Sequence, residues 1–410
     1  MISSYETPFL PYLFVLVTIC FVFLVSYNFI DDKKLLYIFI FGFIFNIILL
    51  VIHNFVYQLP GSDADAVLYD LYGKEISDFF LNYSSEPPDI SSSYYYSYFV
   101  GILYTLFGTA KIVPELMNSM LSVILIIIVY KLSYLLTEHT NVARLSAFIF
   151  LIFPTINLYS VFIMRETSTL FFFILSFYFL IKWNKNPRIR FIFYSISSLL
   201  LCVFFHDAFV FVGVAYITYF LIYNPNKRKI EVLSKKNLIL IPLIGMVAIF
   251  FFTFLVNKLP NLSTLFSVDF LGEHVLRRSR DRASYLEGLK PRSYIDMGYQ
   301  TPIRIIYFLF TPFPWMVTSS VDIFGLIDSL FFIILGFYSY KGLKYLKSED
   351  KPIYYLLLIV LLVFLITFGW GTSNYGAAMR HRSKIGWLFI ILASIGYLLK
   401  NNKGKRSIKK

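Results

Sequence analysis

The sequence predicts an all-α polytopic membrane protein with about eleven transmembrane helices and some interfacial or re-entrant helices. Of its 410 residues, 58% are hydrophobic and 20% are aromatic, which is more apolar surface than a soluble core can bury. Apolar runs that approach the roughly 20 residues needed to cross a bilayer recur along the whole chain. Residues 1–410 are therefore expected to form a single integral membrane domain.

Short basic linkers separate the apolar runs and predict the topology. These linkers are residues 31–34, 182–190, 224–237, 341–351 and the tail 400–410. The positive-inside rule places all of them on the cytoplasmic side. The net charge of +13 lies largely in these linkers, so membrane lipids are expected partners and nucleic acid is not. The spans that satisfy this threading are 8–29, 35–57, 114–136, 142–163, 167–182, 190–205, 208–223, 238–256, 321–340, 352–369 and 384–399.

The first span has no basic residues before it and no small-residue cleavage site after it, so we interpret it as retained. Two other apolar segments do not fit as spans. Residues 94–108 are short and begin with a run of tyrosines, which suits the headgroup boundary. Residues 303–317 contain Pro312 and Pro314, which would break a helix in mid-bilayer. Both are predicted to be interfacial or re-entrant.

The same threading places residues 58–113, 164–167, 206–207, 257–302 and 370–383 on the opposite, external side. The long loops among them are 58–113 and 257–302. These segments hold most of the polar residues that could do chemistry. Polar groups at membrane depth are costly and are usually functional. The abundance of Ile, Phe, Tyr and Lys is typical of an AT-rich bacterial genome. The expected location is thus a bacterial cytoplasmic (inner) membrane, with the site facing outside.

A D-x-D pair opens the first external loop. Asp63 and Asp65 follow Gly61 and precede a segment whose apolar positions have a helical period, which predicts an amphipathic helix along the outer surface. Either carboxylate could cap that helix. Either could instead act as a general base on an acceptor, or help hold a divalent cation, Mg²⁺ or Mn²⁺, against a phosphate.

Two short polar turns interrupt later apolar runs. Arg165 and Glu166 form an Arg-Glu turn, which fits either a snorkelling arginine beside a helix start or an arginine fork that binds phosphate. His206 and Asp207 form a His-Asp turn, for which a structural hydrogen bond and a substrate contact are both open.

Two arginine-rich segments come late in the chain. Arg277 and Arg278 lie in a basic stretch of the loop 257–302, which could be a solvated helix or could attract an anionic lipid-linked substrate. Arg380, His381 and Arg382 begin the last span. With Lys384 they make four cationic or potentially cationic groups within one and a half helical turns, which favours a phosphate clamp.

The order of these features resembles the GT-C fold of membrane glycosyltransferases, such as protein O-mannosyltransferases, aminoarabinose transferases and oligosaccharyltransferases. The acidic motif is GSDADAVLYD, and an aromatic segment ending in TLFG follows it. The later motifs are ELMNSMLSVI, ARLSAFIFLIFPTINLYS, MRETSTLFFF and AMRHRSKIGWLFIILA. The chain departs from the pattern in an extra span before the acidic loop and in the absence of a soluble C-terminal domain, which argues against an oligosaccharyltransferase.

The resemblance implies a glycosyltransferase that moves a sugar from a polyprenyl phosphate or pyrophosphate to a lipid, glycan or protein acceptor. It implies Asp63 or Asp65 as base or metal ligand, Arg165 with Glu166 as shapers of the site, and Arg380 or Arg382 as the lipid-phosphate ligand. A Wzy-type repeat-unit polymerase of O-antigen or capsule is the alternative, which the arginine-rich loop and the His-Asp turn favour. A lipid-linked glycan transporter is a second alternative, although charges within the spans are scarce and no internal repeat is visible.

Overall fold

A computed structural model of the chain describes residues 9–63, 65–225, 227–231, 272–273 and 282–399, apart from the side chains at 320 and 321. The predicted span 238–256 and tail 400–410, with most of the loop 257–302, lie outside these residues. The chain divides into two compact units, Met1–Asp207 with Gly386–Lys410 and Ala208–Ile385. The prediction of a single integral membrane domain stays a prediction.

The first unit is a set of helices. They are α1 (Phe9–Phe29), α2 (Lys33–Val51) with a π-helical end (Ile52–Val56), α3 (Asp65–Phe80), a 3₁₀ turn (Ser92–Tyr94), α4 (Tyr96–Phe107), α5 (Ile112–Thr137), α6 (Thr140–Leu151), α7 (Pro154–Tyr159), α8 (Arg165–Lys185), α9 (Ile189–Phe205) and a second 3₁₀ turn (Asp207–Phe209) that continues into the other unit. Helix α5 packs against α2, α6 and α8, and α8 packs against α9.

Side-chain hydrogen bonds align the helix ends of this unit. Asn54 at the end of α2 donates to Glu115 at the start of α5 at 2.7 Å. One turn later, Asn118 donates to the carbonyls of Phe162 and Met164, just before α8 begins. The end of α2 and the starts of α5 and α8 therefore lie at one end of the unit, as the threading of the basic linkers predicts.

The other end of the unit is held by Asp32 at the start of α2. Its carboxylate accepts hydrogen bonds from Arg144 Nε and from Tyr130 Oη, each at 2.9 Å. Burial raises the pKa of Asp32. The two side-chain hydrogen bonds, together with those from the backbone of Leu35 and Lys34, lower the pKa by a larger amount, so it lies below the ordinary value. The basic linkers 31–34 and 182–190 lie at this end, since α8 and α9 form an antiparallel pair.

Helix α3 packs on α4 through glycines. A Cβ atom on Gly73 would lie 2.5 Å from Val100 Cγ1, and one on Gly101 would lie 2.5 Å from Ile76 Cγ2. The two backbones therefore approach more closely than any larger residue would allow. The predicted amphipathic helix is confirmed, but its buried face is Ala66, Tyr69, Asp70, Gly73, Ile76 and Ser77. The apolar Val67 and Leu71 of the same helix are 53% and 49% exposed.

The second unit contains α10 (Val210–Ile222), a hairpin of β1 (Tyr223–Asn224) and β2 (Lys229–Ile230), α11 (Tyr294–Phe310), a 3₁₀ turn (Pro314–Met316), α12 (Ser320–Glu349), α13 (Lys351–Gly371) and the start of α14 (Tyr375–Leu398). Helix α14 continues from Gly386 into the first unit. Phe209, Phe308 and Phe364 pack around Phe368 of α13.

Proline residues explain two breaks in the helices. Residues 142–163, predicted as one span, form α6 and α7 with a break before Pro154, which has no N–H for the helix of α6 and stands at the favoured first position of α7. The helix break expected in 303–317 is present, because α11 ends at Phe310, before Pro312. The interfacial or re-entrant placement of this segment stays a prediction. The predicted linker 341–351 has a defined secondary structure. It is helical on both sides of Asp350, whose carboxylate caps α13 by accepting from Ile353 N.

Six helices within the described residues have the length and composition to cross a membrane. They are Phe9–Phe29, Lys33–Val56, Ile112–Thr137, Arg165–Lys185, Asp322–Glu349 and Lys351–Gly371. The apolar helices Tyr96–Phe107, Thr140–Leu151, Ile189–Phe205 and Asp207–Ile222 are shorter. The prediction of a helical multi-pass membrane protein is confirmed, whereas the count of about eleven spans is not.

Candidate functional site at the start of the acidic helix

The acidic motif lies between the π-helical end of α2 and helix α3. The π-helix closes with a hydrogen bond from Tyr57 N to the carbonyl of Ile52 at 2.8 Å. Such wide turns are rare and often occur at functional sites. Here the turn brings His53 and Asn54 toward the start of α5.

Asp63 and Asp65 have different surroundings at the start of α3. Asp65 is the first residue of the helix and is half-buried. Asp63 is exposed, and its backbone carbonyl accepts from Ala66 N at 3.3 Å. No hydrogen bond or ion pair joins the Asp63 carboxylate to another residue in the described ranges. Asp63 is therefore available to an external group, and its predicted roles as base or metal ligand stay predictions.

A cavity of about 420 Å³ adjoins the motif. Ser62 and Ala66, which flank the two aspartates, contribute to its wall. Glu115 also lines it and is 3% exposed, with Oε2 accepting from Asn54 and Oε1 lying 3.9 Å from His53 Nε2. A buried carboxylate and an imidazole thus face one another in a cavity of the size that small-molecule sites have.

Asp70, the third carboxylate of the motif region, belongs to a network beside the cavity. It is buried, accepts from Tyr104 Oη at 2.6 Å, and pairs with Lys74 at 3.0 Å. Lys111 Nζ, from the start of α5, lies 3.7 Å from the same carboxylate. Burial and the hydrogen bond to Asp70 raise the pKa of Tyr104, so the phenol keeps its proton and donates. Asp70 therefore fixes α3 to α4.

Arg165 connects α8 to two other segments. Its Nη1 donates to the carbonyl of Ser93 at 2.9 Å and to that of Phe205 at 3.2 Å. The Ser93 carbonyl also accepts from Tyr69 Oη of α3 at 3.3 Å. The structure thus brings the Arg-Glu turn and the acidic helix together through Ser93, while Glu166 is buried beside it.

The His-Asp turn lies next to the contact between Arg165 and the Phe205 carbonyl, because Phe205 directly precedes His206 in the chain. His206 is buried, and its Nδ1 lies 3.7 Å from Asp207 Oδ1. The Asp207 side chain is 91% exposed. The two turns that the sequence analysis singled out are therefore neighbours in the first unit. Their roles as substrate contacts stay predictions.

In the cationic group of the second unit, Arg382 makes structural contacts. It is 0% exposed and donates from Nε to Asp328 Oδ2 at 2.6 Å. Its other N–H groups donate to the carbonyls of Leu309, Thr311 and Gly325 and to Ser329 Oγ. All five donors are thereby engaged. These contacts do not favour Arg382 as a phosphate ligand, since no donor remains for one.

The two neighbours of Arg382 differ in exposure. His381 is buried, with its ring 5.1 Å from that of Phe368 and its Nδ1 3.1 Å from Lys384 Nζ. Arg380 is half-buried. Arg380 is thus the more accessible of the two arginines predicted to bind phosphate. The other predicted arginines, Arg277 and Arg278, lie outside the described residues.

The donor set for a divalent cation is small. Within the part of the chain that the structure describes, no three His, Cys, Asp or Glu side chains are grouped to hold a metal ion. Mg²⁺ is commonly held by one or two carboxylates together with waters and a substrate phosphate, so a cation at Asp63 and Asp65 stays a prediction.

Sequence reasoning missed His53, Asn54, Lys111 and Glu115 as members of the site. The sequence did contain a signal. His53 and Asn54 end one apolar run and Glu115 lies near the start of another, so all three are polar groups at membrane depth. Asn54 and Glu115 are 61 residues apart in the sequence, and this separation gave no reason to pair them.

Comparisons of the structure with solved structures return archaeal oligosaccharyltransferases. One is AglB from Archaeoglobus fulgidus in complex with an inhibitory peptide and a dolichol-phosphate, with a TM-score of 0.52 and 11% sequence identity. Another is the A. fulgidus oligosaccharyltransferase in the apo form, with a TM-score of 0.51 and 12% identity. Each match covers 92% of this chain. The chain has a GT-C fold.

The GT-C fold confirms the resemblance on which the sequence analysis relied. The chain spans 52% of the length of the two archaeal proteins. At these identities the likeness concerns the fold alone. No protein-family model matches the sequence, and the comparison with curated proteins gives no match either.

Proposed function

We propose that this GT-C chain is a membrane glycosyltransferase that transfers a sugar from a polyprenyl phosphate or pyrophosphate to an acceptor. The observation that carries the proposal is the exposed Asp63, which directly follows Ser62 in the wall of a 420 Å³ cavity, in a fold shared with oligosaccharyltransferases. The dolichol-phosphate held by one of them is consistent with a lipid-linked donor.

The proposed chemistry is a direct displacement at the anomeric carbon of the donor sugar. The acceptor oxygen forms the new glycosidic bond as the bond to the phosphate oxygen breaks, and the polyprenyl phosphate leaves with the electron pair. Asp63 or Asp65 takes the proton of the acceptor hydroxyl as general base. A cationic group near the phosphate stabilises the charge that develops on the leaving oxygen.

Arg165 and Arg380 are the proposed cationic groups. Arg165 donates through Nη1 to two carbonyls, and a guanidinium has five donors, so others remain for a ligand. Arg380 is half-buried, unlike the fully buried Arg382. Glu166, His206 and Asp207 adjoin Arg165 and are proposed to shape the substrate contacts, and Arg277 and Arg278 to attract the anionic donor.

The proposed setting is the outer face of a bacterial cytoplasmic membrane. The gathering of the polar turns at one end of the first unit, with the basic linkers 31–34 and 182–190 at the other, supports this orientation through the positive-inside rule. A lipid, a glycan and a protein are all proposed acceptor classes. A divalent cation held between Asp63, Asp65 and the donor phosphate stays a prediction.

Transfer from labelled donors tests the proposal. Purified protein in detergent would be given a panel of polyprenyl phosphate- and pyrophosphate-linked labelled sugars with glycan, lipid and peptide acceptors. Loss of a catalytic base typically lowers the rate by about 10²–10⁴-fold, so one of Asp63→Asn and Asp65→Asn should fall by that factor. Arg165→Lys should keep more activity than Arg165→Ala because it keeps the charge.

Asp78→Asn is the matched control, since Asp78 lies on the exposed surface of the same helix. Its turnover should equal that of the wild type. Equal turnover in Asp63→Asn, Asp65→Asn and Arg165→Ala would refute the assignment of these residues. Absence of sugar transfer by the wild type across the panel would refute the proposed activity.

A further inference from the structure

The cavity at the end of α2 contains polar groups to which the displacement chemistry assigns no role. His53, Asn54, Gln58, Lys111 and Glu115 line it, and all lie in the first unit. Glu115 is 3% exposed. A carboxylate in such a place needs hydrogen-bond donors, because burying an unpaired charge is costly.

The gap between His53 and Glu115 has the dimensions of a hydroxyl site. His53 Nδ1 accepts from Leu59 N at 3.2 Å, so in the neutral imidazole the proton lies on Nε2. Nε2 is 3.9 Å from Glu115 Oε1, which is too long for a direct hydrogen bond. A hydroxyl between them would accept from Nε2–H and donate to Oε1. A hydroxyl is the group that can do both.

The remaining contacts orient the carboxylate toward that gap. Asn54 Nδ2 donates to Glu115 Oε2 at 2.7 Å and also to the carbonyl of Leu50 at 3.1 Å. Oε2 is thus engaged, and Oε1 faces the cavity. The ring of Phe162 lies 4.8 Å from the His53 ring and gives the cavity an apolar wall. Polar groups converging from one side and an aromatic group on the other are typical of small-molecule sites.

The polar groups that line the cavity suit a hydroxyl group better than a phosphate. No arginine is among its lining residues. Its lysine, Lys111, lies 3.7 Å from the Asp70 carboxylate. Glu115 Oε1 faces the cavity as an oxygen that pairs with a hydroxyl donor, and an ionised phosphate has no such donor. An uncharged ligand rich in hydroxyl groups fits better.

We infer that this cavity is a sugar-binding subsite, in which Glu115 and His53 hold one hydroxyl of a carbohydrate. The ligand chemistry is shared by the sugar of a lipid-linked donor and by a glycan acceptor, and the choice between these sources rests on the proposed function. Ser62 and Ala66 line the cavity on either side of Asp63 and Asp65. A sugar held there would lie next to the proposed base.

Binding of simple sugars tests the inference without turnover. Methyl glycosides of glucose, galactose, mannose and N-acetylglucosamine would be titrated into the full-length protein in micelles, with saturation-transfer difference NMR as the readout. We expect saturable binding of at least one of them. Glu115→Gln should weaken it about tenfold, because Asn54 would hold the amide oxygen at the Oε2 position and the amide nitrogen at the Oε1 position cannot accept from a hydroxyl. Glu75→Gln on the exposed surface of α3 should not weaken it.

A second pair of variants keeps the test independent of changes at Glu115. Val67 lines the cavity yet is 53% exposed, so Val67→Trp can occupy the space without entering the packed core. Leu71 lies one turn further along α3, is 49% exposed and does not line the cavity. Val67→Trp should abolish glycoside binding, and Leu71→Trp should leave it unchanged.

Competition distinguishes the two sources of the sugar. If a polyprenyl phosphate carrying the bound sugar displaces the glycoside and bare polyprenyl phosphate does not, the cavity holds the donor sugar. If neither lipid displaces it, the cavity holds the acceptor. Displacement by bare polyprenyl phosphate would overturn the inference, since the cavity would then take the phosphate.

Two further results would overturn it. These are the absence of saturable binding for all four glycosides, and glycoside binding by Val67→Trp equal to that of the wild type. Failure of the proposed function gives a different pattern. Glycosides would still bind and Val67→Trp would still block them, but no labelled sugar would be transferred from any donor.

Discussion

The buried ion pair between Arg382 and Asp328 gives the sharpest stability prediction. Both side chains are 0% exposed, and Arg382 Nε donates to Asp328 Oδ2 at 2.6 Å. Asp328→Asn keeps the shape of the side chain but leaves the guanidinium buried without its counter-charge. Breaking a buried pair in this way costs about 3–5 kcal/mol, and we expect the free energy of unfolding to fall by that amount.

Arg382→Met should cost more than Asp328→Asn. It leaves the Asp328 carboxylate unpaired, and it also removes donors from the carbonyls of Leu309 and Thr311. Each buried carbonyl left without a donor adds about 1–3 kcal/mol. The double variant Asp328→Asn with Arg382→Met removes both charges of this buried pair, so only the cost at the carbonyls should remain. It should therefore be more stable than Arg382→Met alone.

Unfolding in mixed micelles with increasing SDS, followed by tryptophan fluorescence, measures the four members of this cycle. Asp207→Asn is the control, because the Asp207 side chain is 91% exposed, and we expect no change from it. The sum of the two single losses should exceed the loss in the double variant by about 2 kcal/mol or more. Additive losses would refute the conclusion that Arg382 is a structural residue whose charge is matched by Asp328.

Three further predictions concern the first unit. Gly101→Ala should destabilise the protein by about 1–3 kcal/mol in the same SDS titration, because its Cβ would lie 2.5 Å from Ile76 Cγ2 and 2.6 Å from Ile76 Cβ. Gly336→Ala, whose Cβ meets nothing within 4 Å, is its control, and equal losses in both would contradict the close packing of α3 on α4. Asp32, whose pKa is lowered in the folded state, contributes stability that is present above its unfolded pKa of about 3.9 and is lost as pH falls through the lower folded pKa. Between pH 5 and 3, thermal unfolding of Asp32→Asn should thus depend less on pH than that of the wild type, and parallel profiles would argue against the Arg144 and Tyr130 contacts. Tyr104→Phe removes the 2.6 Å hydrogen bond to Asp70 and should cost about 1.5–3 kcal/mol by SDS titration, whereas Tyr83→Phe, at an exposed position, should be neutral.

The amino-acid sequence by itself determined the class of the protein. Apolar runs of spanning length and basic linkers depend on local composition, so the multi-pass helical chain and the gathering of the acidic, Arg-Glu and His-Asp motifs at one end of the first unit followed from it. Local rules also placed the start of α3 near Asp65 and the end of α11 before Pro312. The GT-C fold was inferred from the order of these motifs.

Tertiary structure alone decided which polar groups meet. Arg382 and Asp328 are separated by 54 residues, and Asn54 and Glu115 by 61, and no local pattern pairs residues so far apart. The buried face of α3 likewise depended on the close approach of Gly73 and Gly101 to α4, so Ala66 and Tyr69 rather than Val67 and Leu71 became buried. In a membrane protein apolar side chains can be exposed to lipid as well as buried in the core, so hydrophobic periodicity alone does not identify the packed face of a helix.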